Sequence, residues 1–171
     1  MKCFSTTLLF LGLFIAIPDP AQGQLKKTPA DVAAAMLVKV AEFERNLSDG
    51  RDIQIYVMAA PEVAAELKKG IGSLIGKSTL RGVESGAGLP STKPSILYVE
   101  SASEVDRVLG YTRSQKILSA TGNPDLVEKG ITLGFGVGDD GKPKIVLNTV
   151  GSVQEGLDWN PAILRIARTV N

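Results

Sequence analysis

The sequence predicts an α/β fold: a layered sandwich with a mixed, partly parallel β-sheet flanked by helices. Short apolar runs rich in β-branched residues alternate with amphipathic segments along the chain. Helix-start signals such as Ser-x-x-Glu and Asn-Pro stand between these segments. A turn rich in glycine and aspartate joins two strand-like runs near the carboxyl end. The alternation favours parallel strands, and the turn adds an antiparallel hairpin.

The amino-terminal segment is predicted to be a signal peptide. Lys2 precedes the apolar run Leu8–Ile17, and Ala21 and Gly23 are the small residues that a signal peptidase requires. The run is shorter than the roughly 20 residues that a membrane-spanning helix needs. We therefore expect a signal peptide over residues 1–23, cleaved after Gly23. Residues 24–171 are expected to form a single exported domain that is not embedded in the membrane.

Composition excludes several classes of function. The chain contains no histidine and a single cysteine, Cys3, which lies in the predicted signal peptide. Histidine-dependent triads, histidine bases and nearly all zinc sites are therefore excluded. The 19 basic and 18 acidic residues form no basic stripe, so we expect no nucleic-acid partner. We expect no catalytic residues, no metal and no cofactor, and so a protein that is not an enzyme.

The first half of the chain predicts two helices and two strands. A helix over Thr28–Asn46 would be capped by Thr28, with Pro29 at its first position. Its apolar residues at three- and four-residue steps predict a core face of Val32, Met36, Val40, Phe43 and Leu47. A strand over Ile53–Met58, a helix from Ala60 to about Leu74, a weaker strand over Ser78–Glu84 and a loop over Ser85–Pro94 follow.

The second half predicts four more strands and three helices. Strands are expected over Ser95–Glu100, Lys116–Thr121, Ile131–Val137 and Lys144–Asn148. A capping box of Ser101 and Glu104 begins one helix, and Asn123-Pro124 begins a short helix that ends at Gly130. Asn160-Pro161 is expected to cap a final helix that runs to about Val170.

The spacing G-x-G-x-x-G occurs from Gly136 to Gly141 and could indicate a dinucleotide-binding loop. Such a loop works only between a strand and a helix, because the helix start binds the pyrophosphate. The residues after Gly141 have the pattern of a strand. The motif is therefore interpreted as a hairpin turn, in which aspartate and glycine tolerate positive φ.

Several segments together resemble the YfiR family of bacterial periplasmic proteins. They are the run Ser95–Leu109, the strand-turn-helix Lys116–Gly130, the hairpin Ile131–Asn148 and the closing segment Leu157–Val170. Gly130, Asn148, Leu157, Leu164, Ala167 and Val170 fall on positions typical of the family. The first helix through Phe43 and the strand Ile53–Met58 resemble the family's opening elements. Asn46 replaces a usual tryptophan, Lys39 a common asparagine, and the disulfide cysteines of the best-known member are absent.

The resemblance implies a non-enzymatic periplasmic regulator. It is similar to members that bind the periplasmic sensor domain of an inner-membrane diguanylate cyclase and hold the enzyme inactive, so that cyclic di-GMP and biofilm formation are repressed. Related domains act with sensor kinases, which leaves a kinase periplasmic domain as another partner. The resemblance also suggests a homodimer. The missing cysteines mean that a redox-sensing role is not transferred to this chain.

Two sets of surface residues are candidates for binding. A partner protein is expected to contact the turn residues Gly138, Asp139, Asp140, Lys142 and Lys144, together with Arg165 and Arg168 on the polar side of the final helix. The alternative hypothesis is a small-molecule-binding sensor module that acts with a histidine kinase or a transporter. Its ligand is expected near Ser101, Thr121 and Asn123, where helix starts at strand ends offer N–H groups to an anion.

Overall fold

The computed structural model describes residues 24–171, so the predicted signal peptide and Cys3 lie outside the described residues. The helices are α1 (Ala30–Ala41), α2 (Pro61–Lys69), α3 (Val105–Gln115), α4 (Asp125–Glu128) and α5 (Thr149–Gln154), with 3₁₀ turns at Ala102–Glu104 and Pro161–Arg165. The strands are β1 (Lys26–Lys27), β2 (Asp52–Met58), β3 (Leu74–Ile75), β4 (Ser78–Gly86), β5 (Ile96–Val99), β6 (Leu118–Thr121), β7 (Leu133–Val137), β8 (Pro143–Asn148) and β9 (Ala167–Val170). Within the described part of the chain, no helix combines the length and apolar character required to span a bilayer.

All nine strands form one sheet in the order β3-β4-β2-β5-β6-β7-β8-β9, and β1 pairs with β7. The pairs β2–β4, β2–β5, β5–β6, β6–β7 and β8–β9 are parallel. The pairs β3–β4, β7–β8 and β1–β7 are antiparallel. The predicted α/β fold with a mixed, partly parallel sheet is therefore confirmed.

Helices cover both faces of the sheet, as the layered prediction requires. One apolar cluster joins buried residues of α1 and α2 to the sheet, and the other joins residues of α3 and α4 to it. Side chains of β5 alternate between the two clusters: Ile96 and Tyr98 belong to the first, and Leu97 and Val99 to the second. This alternation is the normal consequence of a strand buried on both faces.

The predicted core face of α1 is only partly correct. Val40 and Leu47 are buried, whereas Val32, Met36 and Phe43 are half-buried. The buried residues of the helix itself are Ala33, Ala34, Leu37, Val40 and Ala41. The alanines lie on the buried face because short side chains allow α1 to approach the sheet and α2 closely. The helix also ends at Ala41, before the predicted Asn46, and Thr28 makes no capping hydrogen bond to it.

The predicted final helix is wrong. Asn160 does cap a helical turn, because its Oδ1 accepts a hydrogen bond from the N–H of Ala162 at 3.0 Å. That turn is a short 3₁₀ helix that ends at Arg165, and the chain then enters β9. β9 is parallel to β8, with Ala167 opposite Ile145. Residues 167–170 gain backbone hydrogen bonds by pairing with the open edge of β8. These bonds stabilise the strand more than the local preference for a helix would stabilise a helix.

Glu44 joins the end of α1 to the carboxyl-terminal segment. The residue is fully buried. Its carboxylate accepts hydrogen bonds from the N–H of Leu47 at 2.7 Å, the N–H of Asp158 at 2.8 Å and Nδ2 of Asn46 at 3.0 Å. A buried carboxylate is tolerated when donors of this kind surround it. Glu44 therefore holds together two segments that are far apart in the sequence.

A second buried carboxylate, Glu155, follows α5 and is less well satisfied. Its Oε2 accepts a hydrogen bond from the N–H of Ser119 at 3.0 Å. Oε1 of Glu155 and Oγ1 of the buried Thr132 have no hydrogen-bond partner among the described residues. Burial raises the pKa of Glu155, and hydrogen bonds from neighbouring groups only partly oppose this. Folding therefore shifts the Glu155 carboxyl towards its protonated form relative to the unfolded chain.

We expect Glu155→Gln to raise the free energy of unfolding at neutral pH by roughly 1–2 kcal/mol. The neutral amide can accept from Ser119 and donate to Thr132, and it carries no buried charge. Because the folded-state pKa lies above the unfolded one, the native protein loses stability as pH rises from the unfolded pKa through the folded pKa. Urea unfolding at several pH values measures this. The variant should lose that part of the pH dependence, and a variant less stable than the native chain at neutral pH would contradict the assignment.

Candidate functional site

The glycine-rich motif forms the turn between two antiparallel strands, β7 and β8. The N–H of Gly138 donates to the carbonyl of Lys142 at 3.0 Å, and the N–H of Gly141 donates to the carbonyl of Gly138 at 2.9 Å. Gly141 has a φ of 71°, a conformation that glycine adopts without strain. The interpretation of the motif as a hairpin turn is confirmed, because no helix follows the glycines.

The predicted turn residues lie together at one end of this hairpin. Asp139, Asp140, Lys142 and Lys144 are exposed, and Gly138 is half-buried. Nζ of Lys144 donates to Oδ2 of Asp140 at 3.0 Å, and this hydrogen bond lowers the pKa of the Asp140 carboxyl. The lowered pKa keeps the Asp140 carboxylate ionised beside Lys144.

The two predicted arginines do not lie on an α-helix. Arg165 ends the 3₁₀ turn, and Arg168 lies in β9. β9 begins at Ala167, which lies opposite Ile145 of β8, so Arg165 lies two residues before the paired strand. Arg168 lies further along the strand, and its Nη2 donates to Oε1 of Glu128 at 3.3 Å. Arg168 therefore contacts α4, whereas Arg165 lies in the segment that leads into β9.

Sequence reasoning missed two apolar residues at this end of the sheet. Leu164 is 54% exposed and Ile166 is 53% exposed, and they flank Arg165. The centre of a protein interface is more apolar than its rim, and arginine is enriched there. We call Asp139, Asp140, Lys142, Lys144, Leu164, Arg165 and Ile166 the hairpin surface. The predicted α-helix concealed this segment, because the chain forms a 3₁₀ turn up to Arg165 and enters β9 at Ala167.

The predicted ligand residues lie at the carboxyl ends of the adjacent parallel strands β5 and β6. Their side chains make local contacts: Oγ of Ser101 lies 2.9 Å from Oγ of Ser103, Oγ1 of Thr121 accepts from the N–H of Asn123 at 3.1 Å, and Oδ1 of Asn123 accepts from the N–H of Asp125 at 3.2 Å. These contacts shape the loops at the sheet edge. Ser101, Thr121 and Asn123 do not line the groove described next.

A groove of about 460 Å³ opens at the same edge, between the carboxyl ends of β2 and β5. The helix after β2 covers one face of the sheet, whereas the helix after β5 covers the other. Open α/β sheets bind ligands in the crevice at such a reversal. The groove is lined by Lys27, Thr28, Pro29, Ala30, Ala59, Ala60, Pro61, Glu62, Val63 and Glu100. We call this site the α1–α2 groove.

A network of polar groups holds one wall of the α1–α2 groove. Oη of Tyr98 donates to Oε1 of Glu100 at 2.8 Å, and Nζ of Lys27 lies 2.5 Å from Oε2 of the same carboxylate. Burial and the neighbouring Glu100 raise the pKa of Tyr98 well above its usual range, so its hydroxyl remains a donor. The N–H of Thr28 donates to the carbonyl of Gly122 at 2.9 Å. These contacts fix the chain that leads into α1.

Neither the hairpin surface nor the groove assembles a catalytic set. Across residues 24–171, no group of three or more histidine, cysteine, aspartate or glutamate side chains is arranged to hold a metal ion. The two sites offer shape, charge and backbone donors, which are the means of recognition. Comparison with family models shows which family the chain is related to. The YfiR/HmsC-like model (DUF4154) matches residues 30–168.

The chain belongs to the YfiR/HmsC-like family. The match begins at the first residue of α1 and ends within β9, so it includes the hairpin surface and most of the α1–α2 groove. The resemblance predicted from the sequence is thereby confirmed. No curated protein matches the chain.

Proposed function

We propose that this YfiR/HmsC-like protein is a periplasmic regulator that represses an inner-membrane signalling enzyme of the diguanylate cyclase type. It would do so by binding the periplasmic sensor domain of that enzyme. The observation that carries the proposal is the family match over residues 30–168. The signal-peptide pattern of residues 1–23 and the exposed apolar and charged groups of the hairpin surface support it.

A repressor of this kind acts by preferring one state of its partner. To move a cyclase from about 1% to about 99% inactive, it must bind the inactive state about 5.5 kcal/mol more tightly than the active state. Leu164 and Ile166 offer apolar area, and Arg165 between them offers a charge that fits a carboxylate of the partner. A signal would release the cyclase by weakening this difference in affinity.

Deleting the gene in its native host is expected to raise cellular cyclic di-GMP and to increase biofilm formation. The full chain supplied from a plasmid should restore the low level, whereas a version without residues 2–23 should not, because it would remain on the wrong side of the membrane. Extraction and quantification of cyclic di-GMP measures the result. Unchanged cyclic di-GMP in the deletion strain, or full repression by the leaderless version, would contradict the proposal.

Reversing one charge on the hairpin surface should weaken repression. We expect Arg165→Glu to lose about 1–3 kcal/mol of binding to the sensor domain, and therefore to raise cyclic di-GMP, without changing the thermal midpoint. Lys77→Glu is the matched control, because Lys77 is exposed in the turn beside β3, at the opposite edge of the sheet. Equal cyclic di-GMP in the two variants would show that the hairpin surface is not the contact.

The second candidate function is a small-molecule-binding sensor module that acts with a histidine kinase or a transporter. The α1–α2 groove favours it, because its position at the carboxyl ends of β2 and β5 is where α/β sheets bind ligands. Genes beside this one distinguish the two functions: a diguanylate cyclase supports the first, and a kinase or transporter supports the second.

A further inference from the structure

The strand β9 is the last strand of the sheet and has an open edge. Its other edge pairs with β8, in parallel over residues 167–170. Among residues 24–171, no segment other than β8 forms backbone hydrogen bonds with these four residues. An unpaired strand edge presents a row of N–H and C=O groups that can pair with another strand. The backbone at this edge is therefore suited to accept a further strand.

Exposed apolar side chains lie at both ends of the open edge. The described part of the chain exposes six large apolar side chains, and four of them flank β9: Leu164, Ile166, Val150 and Val153. The first two immediately precede β9. The last two lie in α5, whose first residue, Thr149, donates from Oγ1 to the carbonyl of Val170 at 3.4 Å. Apolar side chains grouped in this way on a surface indicate a contact with another protein.

We propose that this edge pairs with the same edge of a second copy of the chain, so that one sheet runs through both copies. A two-fold axis brings the same surface of both copies together in a symmetric dimer. Edge strands related by such an axis run antiparallel, so the start of one β9 lies beside the end of the other. The apolar pair before β9 in each copy then lies beside the apolar pair of α5 in the other. The surface is thus complementary to itself, which favours a second copy over an unrelated protein.

The charges of β9 select the register of this pairing. A two-fold axis places the central residue of the paired segment opposite its own copy. Centring on Arg168 would put two like charges directly opposite each other, which is destabilising. Centring on Thr169 pairs two threonines and places Arg168 opposite Val170 of the second copy, which avoids the repulsion. Thr169 is also the exposed residue of β9, whereas the Arg168 guanidinium pairs with Glu128 of its own copy at 3.3 Å.

The pairing would cover part of the hairpin surface, because Leu164 and Ile166 belong to both. A second copy and the sensor domain of a cyclase would then compete for these two side chains. The paired form would be the one that does not repress. This consequence rests on the proposed function, whereas the pairing itself does not.

Sedimentation velocity of the chain from Gln24 onward, at concentrations from about 1 to about 500 μM, tests the pairing. We expect a reversible dimer with a dissociation constant of roughly 10–100 μM, because fewer residues meet here than the roughly 20–30 a side of a standard interface. Thr169→Lys places two like charges opposite each other and should weaken self-association about ten-fold or more. Ser85→Lys is the matched control, because Ser85 is an exposed residue of β4 near the opposite end of the sheet.

A mixture of two variants tests the two-fold register directly. Thr169→Asp alone should also weaken self-association, because two carboxylates then face each other. An equimolar mixture of Thr169→Lys and Thr169→Asp should form a mixed dimer, because opposite charges meet at the axis. Both variants should keep the native thermal midpoint, since Thr169 is exposed. Val153→Ser should weaken the native dimer roughly two- to five-fold by removing apolar area.

The outcomes separate this inference from the proposed repression. A dimer that Thr169→Lys disrupts and the mixture restores supports the pairing even where gene deletion leaves cyclic di-GMP unchanged. A chain that stays monomeric up to about 500 μM would overturn the inference and leave the β9 edge to a strand of another protein. A dimer that Thr169→Lys leaves intact, or that Ser85→Lys weakens equally, would also overturn it, because its contact would lie elsewhere.

Discussion

Glu44→Ala is expected to lower the free energy of unfolding by about 3–5 kcal/mol. The substitution removes the carboxylate that accepts from the N–H groups of Leu47 and Asp158, and the N–H of Leu47 keeps only its bond to the Glu44 carbonyl at 3.1 Å. It also leaves a cavity where α1 meets the carboxyl-terminal segment. Urea unfolding monitored by circular dichroism measures the change. Since the segment after Asp158 leads to the hairpin surface, repression should weaken in parallel.

Two further variants show how much of the stability lost in Glu44→Ala comes from the buried carboxylate. Glu42→Ala removes an ion pair with Lys39 at 3.7 Å on the surface of α1, and such exposed pairs contribute about 1 kcal/mol or less. Glu44→Gln retains one acceptor oxygen and should fall between Glu42→Ala and Glu44→Ala. If Glu44→Ala and Glu42→Ala destabilise the protein equally, the buried carboxylate does not join the two segments as described.

The second large effect is expected at Gly134, where Gly134→Ala should lower the free energy of unfolding by about 3 kcal/mol. Gly134 is buried in β7, and a β-carbon there would lie 2.2 Å from Cγ2 of Val127. Val127 is itself fully buried after β6, so neither side chain can move away without disturbing the core. Thermal and urea unfolding measure the loss.

A compensating change and a control make the Gly134 prediction specific. Val127→Ala opens space next to the new β-carbon, so the double variant Gly134→Ala, Val127→Ala should lose less stability than the sum of the single variants. Gly110→Ala lies in the exposed part of α3 with no heavy atom within 4 Å of the new β-carbon. It should gain about 0.5–1 kcal/mol, because alanine favours a helix. Additive losses in the double variant would contradict the contact.

Most elements were predictable because their signals are local. The apolar runs at β2, β5, β6, β7 and β8 and the turn at Gly141 lie within a few residues of the structures they specify. Asn148 is an instructive miss, since its Oδ1 accepts from the N–H of Gly151 at 2.7 Å and caps α5. Asn148 is also the last residue of β8. The sequence analysis assigned it to the strand and therefore did not predict the helix that it caps.

The two candidate sites were less predictable because residues distant in the sequence build them. The α1–α2 groove joins Thr28, the turn after β2 and Glu100. The hairpin surface joins the turn after β7 to residues 164–166, and this depends on β9 pairing with β8. The hydrophobic pattern within one segment does not show which distant segments lie beside it. The predicted ligand residues Ser101, Thr121 and Asn123 lie at the same edge of the sheet as the groove but do not line it.

The sequence by itself determined that the chain alternates strands and helices, that a hairpin follows β7, and that histidine and thiol chemistry are absent from residues 24–171. Those properties depend on residue types and on spacing over a few positions. The tertiary structure alone decided that residues 167–170 form a strand, that alanines make the buried face of α1, and that two uncapped helix starts meet at one groove. Each of these depends on long-range contacts, whose free energies outweigh the small local preferences of the segments involved.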